Sequence, residues 1–284
     1  MKKRIVFPFI LFILCCLAAQ PVFGEEAEAF FKTETAEVPI IMYHLVTKNS
    51  RYVGKHGITP SELESDMQYL KENGYQTVVM TDLIEFVQKG KNLPEKPIVL
   101  TFDDGNFSDY RYLYPLLQKY DMKAVVSVLG KASDECTVLA AQQDGTKIFP
   151  NLTWEQIKEM SESRFVEVQN HSYDLHHSGI GSAQRQGEPL EDYHRRLRED
   201  LSKMQERTKE KTGATPNTFT YPLGRVCENS KPILEELGIV ASLSCHDVIN
   251  YLKEKEPDCL YRLKRDNRPS GTSISSVLKK MRRA

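Results

Sequence analysis

The feature that most constrains the fold is a short run, Pro97 to Phe102, in which Thr101 is the only polar residue. A strand with one solvated face alternates apolar and polar side chains, so a run without alternation predicts a strand covered on both faces. Such strands are typical of parallel sheets with helices packed on either side. Asp103-Asp104-Gly105 follows the run directly. The sequence therefore predicts an α/β fold with carboxylates at the carboxyl end of a central strand.

Strands and helices alternate along most of the chain. The clearest helix start is Thr59-Pro60-Ser61-Glu62, where a capping residue precedes proline and glutamate lies three positions after the cap. The predicted strands are 38–43, 77–80, 97–102, 124–129, 165–168, 218–221 and 239–243. The predicted helices are 59–74, 82–88, 112–120, 153–160 and 192–211. This order predicts a largely parallel sheet, open or closed into a barrel, in one domain of residues 38–269.

Both ends of the chain differ from this pattern. Residues 1–24 begin with Lys2-Lys3-Arg4 and continue into an apolar run, which predicts a signal peptide or an uncleaved membrane anchor. Residues 25–37 are acidic and rich in alanine, which predicts a linker. Residues 270–284 end in a basic cluster and are expected to be a solvated tail, or else a contact with an anionic surface. The chain is therefore expected to be exported, either secreted or held at the cell envelope.

Charge and cysteine content exclude some classes of protein. The 38 basic residues balance 39 acidic ones, so a nucleic-acid binder that works through bulk charge is not expected. Four cysteines follow the apolar segment without a Cys-x-x-Cys pair, which disfavours a zinc knuckle and leaves three disulfide pairings open. They are Cys136, Cys227, Cys245 and Cys259. The Asn-x-Ser/Thr sites at Asn106 and Asn170 abut the motifs discussed next, where a glycan would block access, so a prokaryotic exported protein is favoured.

Polar side chains follow three of the predicted strands. They are His44, the Asp103-Asp104 pair, and the cluster His171, His176 and His177. Because the carboxyl ends of parallel strands share one edge of a sheet or barrel, we expect these groups to lie close together. Taken alone, Asp-Asp-Gly is also a common turn, and a histidine cluster is also found on surface loops. Their convergence on one edge favours a functional site.

The spacing of these residues permits metal chemistry. Neighbouring residues on a strand point in different directions, so one aspartate can ligate a metal while the other stays free to accept a proton from water. His171 and His176 are five residues apart, and a regular helix would turn them about 140° away from each other. They can share a metal only from a turn or loop. Two imidazoles and one carboxylate suit zinc or another divalent first-row ion and leave positions open for water and substrate.

Three stretches in a fixed order resemble one enzyme family. They are Thr101-Phe102-Asp103-Asp104-Gly105, the His-Ser-x-x-x-His stretch from His171, and Phe219-Thr220-Tyr221-Pro222-Leu223-Gly224. Over roughly residues 38–265 the chain is similar to the polysaccharide deacetylases, the NodB-homology or carbohydrate esterase family 4 enzymes. The resemblance implies an irregular (β/α) barrel with a single catalytic domain. It also implies a metal-dependent hydrolase that removes N-acetyl groups from an extracellular N-acetylhexosamine polymer, either peptidoglycan or exopolysaccharide.

The resemblance also implies roles for individual residues. The first aspartate of the family motif is the catalytic base, which falls on Asp103. The second aspartate and the two histidines hold the metal, which falls on Asp104, His171 and His176. Zinc is the implied ion, with cobalt or nickel as alternatives.

The resemblance also implies an oxyanion donor and an arginine that orients the base, but it assigns neither to a single residue. A backbone N–H that helps to hold the oxyanion or substrate is implied within Tyr221, Pro222 and Leu223, where leucine replaces the more frequent aromatic residue at 223. An arginine orients the base in the family. Three candidates remain open, Arg225, Arg262 and Arg265.

The sequence departs from the commonest family pattern in two ways. The metal histidines are five residues apart instead of four, which resembles the branch that de-N-acetylates poly-N-acetylglucosamine. A late Leu-x-x-His, the usual source of the general acid, is missing. In the same branch the acid lies early, in a Met/Ala-Tyr-His context, which Met42-Tyr43-His44 matches. The resemblance therefore implies His44 as the acid, with His246 as the alternative.

Two other functions are compatible with the sequence. One is an O-acetyl esterase acting on cell-wall glycan, and the other is an inactive glycan-binding wall protein on a degenerate barrel. The presence of all the implied catalytic and metal residues disfavours the second. A glycosidase with paired carboxylates would have no need of the histidines. The expected partner is a glycan polymer, with membrane contact only through the N-terminal segment, no nucleic acid, and a monomeric state.

Overall fold

A computed structural model describes residues 34–142, 150–177 and 179–283. The segment 1–24 and most of the expected linker lie outside these residues. The described strands are β1 Thr35–Val38, β2 Ile40–Tyr43, β3 Leu45–Val46, β4 Gly57–Ile58, β5 Gln76–Thr77, β6 Pro97–Asp104, β7 Ala124–Val128, β8 Val166–Asn170, β9 Thr218–Thr220, β10 Ala241–Leu243, β11 Asn250–Lys253 and β12 Asp266–Asn267. The described α-helices are α1 Pro60–Glu72, α2 Met80–Lys89, α3 Tyr114–Tyr120, α4 Gly130–Ala141, α5 Trp154–Glu162, α6 Leu190–Thr212, α7 Lys231–Glu236 and α8 Ile274–Met281.

The main sheet is parallel, and β6 lies within it. Its strands follow the order β10-β9-β8-β7-β6-β2-β12, and β5 pairs with the first residues of β6. The first seven residues of β6 are buried, as the run without alternation predicts. The α/β class, the parallel sheet and the central position of this strand are confirmed.

A short segment, Leu263–Asn267, joins the two edges of this sheet. Leu263 forms a parallel bridge to Leu243 of β10, and Asp266 and Asn267 pair with β2. The sheet thereby closes on itself, which confirms the irregular barrel. Arg265 lies in the middle of this closing segment and is fully buried.

Alternate residues of β6 face opposite sides. Ile98, Leu100 and Phe102 belong to a cluster formed with α1, α5 and α8. Val99 belongs to a second cluster that contains the buried side chains of α2 and inward residues of β2, β7 and β10. Thr101 and Asp103 have the same parity as Val99, so β6 brings polar groups to the inner side of the barrel at its carboxyl end. Val99 is thus the last apolar side chain on the inner face of β6, and the polar Thr101 and Asp103 follow it toward the carboxyl end.

The C-terminal segment corrects the expectation of a solvated tail. Ser273 caps α8 by accepting the N–H of Ser276, and the helix buries four apolar side chains. They are Ile274, Val277, Leu278 and Met281. Their helical spacing places them on one face, and burial of that face outweighs the solvation of the basic residues on the other. Residues 273–281 are therefore part of the catalytic domain.

The expected linker is also partly wrong. Residues Thr35–Val38 form β1, which pairs antiparallel with β11. Val38 and Leu252 of this pair are buried in the same cluster as Val99. The folded body therefore begins before residue 38, and residues 25–33 lie outside the described part.

Two observations concern the expected membrane contact and the expected disulfides. In the described part of the chain, helices are too short or too polar to cross a bilayer. Cys136, Cys227, Cys245 and Cys259 all carry free thiols.

Candidate active site

Three side chains from different parts of the sequence meet at the carboxyl end of the barrel. Asp104 Oδ1 lies 3.5 Å from Nε2 of His171 and 3.4 Å from Nε2 of His176. One potential ligand atom from each residue lies within 4.8 Å of the others. The His171 side chain is 2% exposed, whereas those of Asp104 and His176 are 26% exposed, so one side of the cluster is open. The structure brings together all three residues expected to hold a metal.

The histidines come from a loop, as their spacing predicts. His171 directly follows β8, and residues 171–177 form no helix. Ser172 adopts a left-handed backbone with φ of 80°, and its N–H donates to Asn170 Oδ1 at 2.7 Å. This turn brings His176 back over His171, with the ring centroids 4.9 Å apart.

The orientation of His171 is fixed from behind. Its Nδ1 lies 2.8 Å from the Thr220 carbonyl oxygen, which only accepts, so Nδ1 carries the proton. The lone pair of the neutral ring is then on Nε2, the atom that faces Asp104. A hydrogen bond of this kind is what orients a metal-binding histidine.

The backbone at Asp104 is also held in an unusual conformation. Asp104 has φ of 75°, in the left-handed region that aspartate adopts at some cost. The Asn151 side-chain amide donates to the Asp104 carbonyl at 2.9 Å, and that of Asn106 donates to the Asp103 carbonyl at 3.1 Å. From the sequence, Asn106 was considered only as a glycan acceptor, and the positioning role of both asparagines was missed. For Asn106 the available signal was its place directly after Asp-Asp-Gly, where turns favour side-chain-to-backbone bonds, whereas Asn151 is too distant in sequence to give one.

The chemistry of this set fits a divalent cation. Asp104 Oδ1 is buried and has no hydrogen-bond partner among the described residues, although a buried carboxylate oxygen normally has one. Burial opposes ionisation of Asp104, but its interaction with the neighbouring His171 lowers its pKa overall. Burial disfavours the charged form of His171, but Asp104 and Asp103 raise its pKa overall. The pocket therefore attracts positive charge, and a cation held by two imidazoles and a carboxylate would supply it.

Asp103 is engaged differently from its neighbour. Its two oxygens accept hydrogen bonds from the two terminal nitrogens of Arg265, both at 2.8 Å. The remaining donors of Arg265 reach Thr101 Oγ1 at 3.0 Å, the Ser244 carbonyl at 2.9 Å and Cys245 Sγ at 3.6 Å. Burial opposes ionisation of Asp103, but the Arg265 guanidinium holds its pKa well below the ordinary value. Asp103 is therefore a carboxylate fixed in orientation beside the three-residue cluster.

The geometry separates the three arginine candidates. Arg265 contacts Asp103, whereas Arg262 is half exposed and pairs with Glu228 at 2.5 Å. Arg225 is exposed on the turn after Leu223. Of these arginines, Arg265 is the one in position to orient the base.

His44 and His246 are also separated. His44 directly follows β2 and is half-buried, and burial lowers its pKa although the nearby Asp103 and Asp104 charges act in the opposite direction. Its ring lies edge-on to that of His56, with centroids 4.7 Å apart. His246 is exposed on the loop after β10. Of the two, His44 is the one that lies near enough to both aspartates for their charges to act on it.

The segment expected to hold the oxyanion offers one suitable donor. The Tyr221 N–H already donates to the Leu243 carbonyl at 3.1 Å, and its hydroxyl is buried against Ser230 Oγ at 2.6 Å. Pro222 has no N–H. The Leu223 N–H has no acceptor among the described residues, and Leu223 adopts φ of 59°. Within this segment, only Leu223 can contribute a backbone donor.

Comparison with known proteins shows the family of this chain. The family profile described as polysaccharide deacetylase matches residues 90–242, more than half of the chain. The chain belongs to the polysaccharide deacetylase family. Its fold and its enzyme class, as implied by the sequence motifs, are thereby confirmed.

Two curated relatives and one solved structure are similar to this chain. The "Putative polysaccharide deacetylase YxkH" of Bacillus subtilis (strain 168) is 31% identical over 217 residues, which cover 75% of this chain and 67% of that protein. The poly-β-1,6-N-acetyl-D-glucosamine N-deacetylase of Escherichia coli (strain K12) is 30% identical over 201 residues, which cover 64% of this chain and 30% of that protein. A solved structure of a de-N-acetylase from Aggregatibacter actinomycetemcomitans superposes with a TM-score of 0.71 at 24% identity, covering 86% of this deacetylase and 99% of that chain.

The three-residue cluster predicts a specific pattern of zinc binding. Replacing His171 or His176 of this deacetylase with alanine removes one of three ligands, so we expect zinc affinity to fall by about 100-fold or more, at least the loss typical of an outer-shell partner. His177→Ala is the matched control, because the His177 Nδ1 lies 3.6 Å from Asp174 and outside the cluster. Isothermal titration of the metal-free protein with zinc measures all three. Equal losses in the three variants would contradict the assigned site.

Proposed function

We propose that this polysaccharide deacetylase is a metal-dependent hydrolase that removes N-acetyl groups from a polymer of the poly-β-1,6-N-acetylglucosamine type. The observation that carries the proposal is the division of labour between adjacent aspartates. Asp104 faces His171 and His176, whereas Asp103 is held by Arg265. The name of the E. coli relative and the five-residue spacing of the histidines support this polymer over peptidoglycan.

The three-residue cluster would hold a Lewis acid. A divalent cation, zinc or alternatively cobalt or nickel, held by Asp104, His171 and His176 would provide Lewis-acid activation of water and of the acetyl carbonyl. The 26% exposure of the Asp104 and His176 side chains leaves an open side for the substrate. A hollow of about 250 Å³ lies next to His176, and Lys131, Tyr173 and Asp174 are among the residues that line it. Polar groups of this kind would bind the hydroxyls of a sugar chain.

Asp103 accepts the proton that water loses as it attacks the acetyl carbon. The bidentate contact with Arg265 keeps Asp103 ionised and fixes its two oxygens. The carboxylate therefore does not have to reorient during the reaction. A general base must first be within hydrogen-bond reach of the proton that it accepts. The position of the Asp103 carboxylate therefore matters more than the basicity of Asp103.

The leaving group and the oxyanion need donors. His44 gives a proton to the departing amine nitrogen, which leaves as a free amine on the sugar. Burial lowers the pKa of His44, so its protonated form releases the proton readily. The Leu223 N–H, which lacks an internal acceptor, is available to the oxygen of the acetyl group as negative charge develops there.

The substrate fits an exported enzyme. Residues 1–24 carry the pattern of a signal or anchor, and exopolysaccharide lies outside the cytoplasm. We therefore include export in the proposal, with the glycan polymer as the partner of the site.

Acetate release tests the activity and the choice of acid together. The purified full chain with zinc is incubated with oligomers of β-1,6-linked N-acetylglucosamine, with peptidoglycan, and with an O-acetylated glycan. We expect release from the first, and a loss of about 10²–10⁴-fold in kcat for His44→Ala, the range typical of a lost general acid. His246→Ala is the matched control and should retain the wild-type rate.

Other results would indicate a different function or a different acid. Release only from the O-acetylated glycan would identify an esterase, and release from none of them by a protein that binds zinc would favour a glycan-binding role. A drop in His246→Ala without one in His44→Ala would reverse the assignment of the acid.

The role of Arg265 predicts a change in pH dependence. A general base must be deprotonated, so kcat/KM falls as pH drops through its pKa. In Arg265→Met the cation is lost and burial dominates, which raises the pKa of Asp103 above its ordinary value. The acid limb of the kcat/KM profile at saturating zinc should therefore move to higher pH, and Arg265→Lys, which keeps the charge, should move it less. An acid limb at the same pH in all three proteins would refute this role.

A further inference from the structure

A carboxylate on α6 contacts the loop that carries the two metal histidines. Asp200 Oδ1 accepts the N–H of Tyr173 and Asp200 Oδ2 accepts the N–H of Asp174, both at 2.8 Å. These two residues lie midway between His171 and His176. Both oxygens of one side chain thus accept hydrogen bonds from the backbone of a single turn.

We propose that Asp200 is a positioning residue that sets the distance between His171 and His176 and thereby the affinity of the site for its metal. The inference rests on the proposed function, because it takes these histidines as metal ligands. It concerns the protein side of the site, with zinc as the probe.

The need for such a residue follows from the spacing of the histidines. Five residues apart, they cannot face each other from a helix, so the chain between them must turn without a regular hydrogen-bond ladder. A turn of this kind leaves backbone N–H groups without partners, and unpaired N–H groups in a partly buried loop are costly. Asp200 pairs two of them at once, from a long helix that is anchored in the core by Tyr193, Leu197 and Leu201.

Asp200 has no salt bridge among the described residues. Other carboxylates on this side of the barrel do have one; Asp134, for example, pairs with Arg207 at 2.9 Å. The polar partners of Asp200 are the two loop N–H groups. Its charge is therefore committed to the loop and not to a link between helices.

A second contact holds the same loop from the other side. The Tyr173 hydroxyl donates to Asp134 Oδ2 at 2.9 Å, and Asp134 in turn accepts the indole N–H of Trp154 at 2.7 Å. Tyr173 is therefore held at its backbone by Asp200 and at its ring end by Asp134. Without Asp200, the contact of the Tyr173 hydroxyl with Asp134 would keep the loop folded. The loss of the backbone contacts would still change the distance between the two histidines.

Zinc affinity of the full chain tests the inference directly. In Asp200→Asn one oxygen still accepts an N–H while the amide NH₂ faces the other, so the turn opens on one side. We expect the Kd for zinc, measured by competition with a chelator, to rise by about 10–100-fold, as is typical when a partner that orients a ligand is lost. Glu199→Gln, an exposed neighbour on the same helix, should keep the wild-type Kd. An unchanged Kd in Asp200→Asn would overturn the inference.

Two further measurements separate positioning from folding. The thermal midpoint of metal-free Asp200→Asn should fall below that of Glu199→Gln only by the few degrees that one lost hydrogen bond costs, and a purely structural role would lower stability and leave zinc affinity unaffected. Amide hydrogen exchange of the wild type covers the case in which the variant does not fold. The Tyr173 and Asp174 amides should be protected, and exchange at the rate of a free amide would overturn the inference.

Acetate release distinguishes this inference from the proposed function. If the wild type binds zinc but releases no acetate from any glycan, the proposed function fails while the Kd ratio still decides the role of Asp200. If the wild type hydrolyses its substrate and Asp200→Asn binds zinc equally well, only the role of Asp200 fails.

Discussion

The buried pair of Asp103 and Arg265 is the interaction on which the site depends. Removing both charges from water is costly, and the cost is offset here because all the donors of Arg265 are used: two on Asp103, one on Thr101, one on the Cys245 sulfur and one on a backbone carbonyl. Loss of one partner would leave the other charge buried and unpaired, a destabilisation of about 3–5 kcal/mol. Arg265 also lies on the segment that closes the barrel. The same arginine therefore takes part in closing the barrel and in orienting Asp103, the proposed base.

That pair also explains how two adjacent aspartates take different roles. Arg265 occupies both oxygens of Asp103 and fixes the orientation of that carboxylate. The left-handed backbone at Asp104, held through the asparagine contacts to the neighbouring carbonyls, turns its carboxylate toward His171 and His176. Backbone strain of this kind persists where the surroundings enforce it, and it is often found at functional sites.

The sequence predicted the parts of the fold and site that depend on local pattern. The apolar run before Asp103, the capped start of α1 and the convergence of the polar clusters all follow from periodicity and from the parallel sheet. The choice of Arg265 could not be predicted, because it depends on a closing segment whose strand has only two residues. The same limit applies to β1, whose partner β11 is distant in sequence, and to α8, whose basic residues concealed its apolar face.

The location of the metal is the most direct test of this account. Crystals of the full chain grown with zinc would be measured by anomalous scattering above and below the zinc absorption edge. The account predicts one peak at about 2.0–2.2 Å from Nε2 of His171, Nε2 of His176 and an oxygen of Asp104, with Asp103 still paired to Arg265. A peak coordinated by Asp103, or a peak that lacks one of the two histidines, would contradict it.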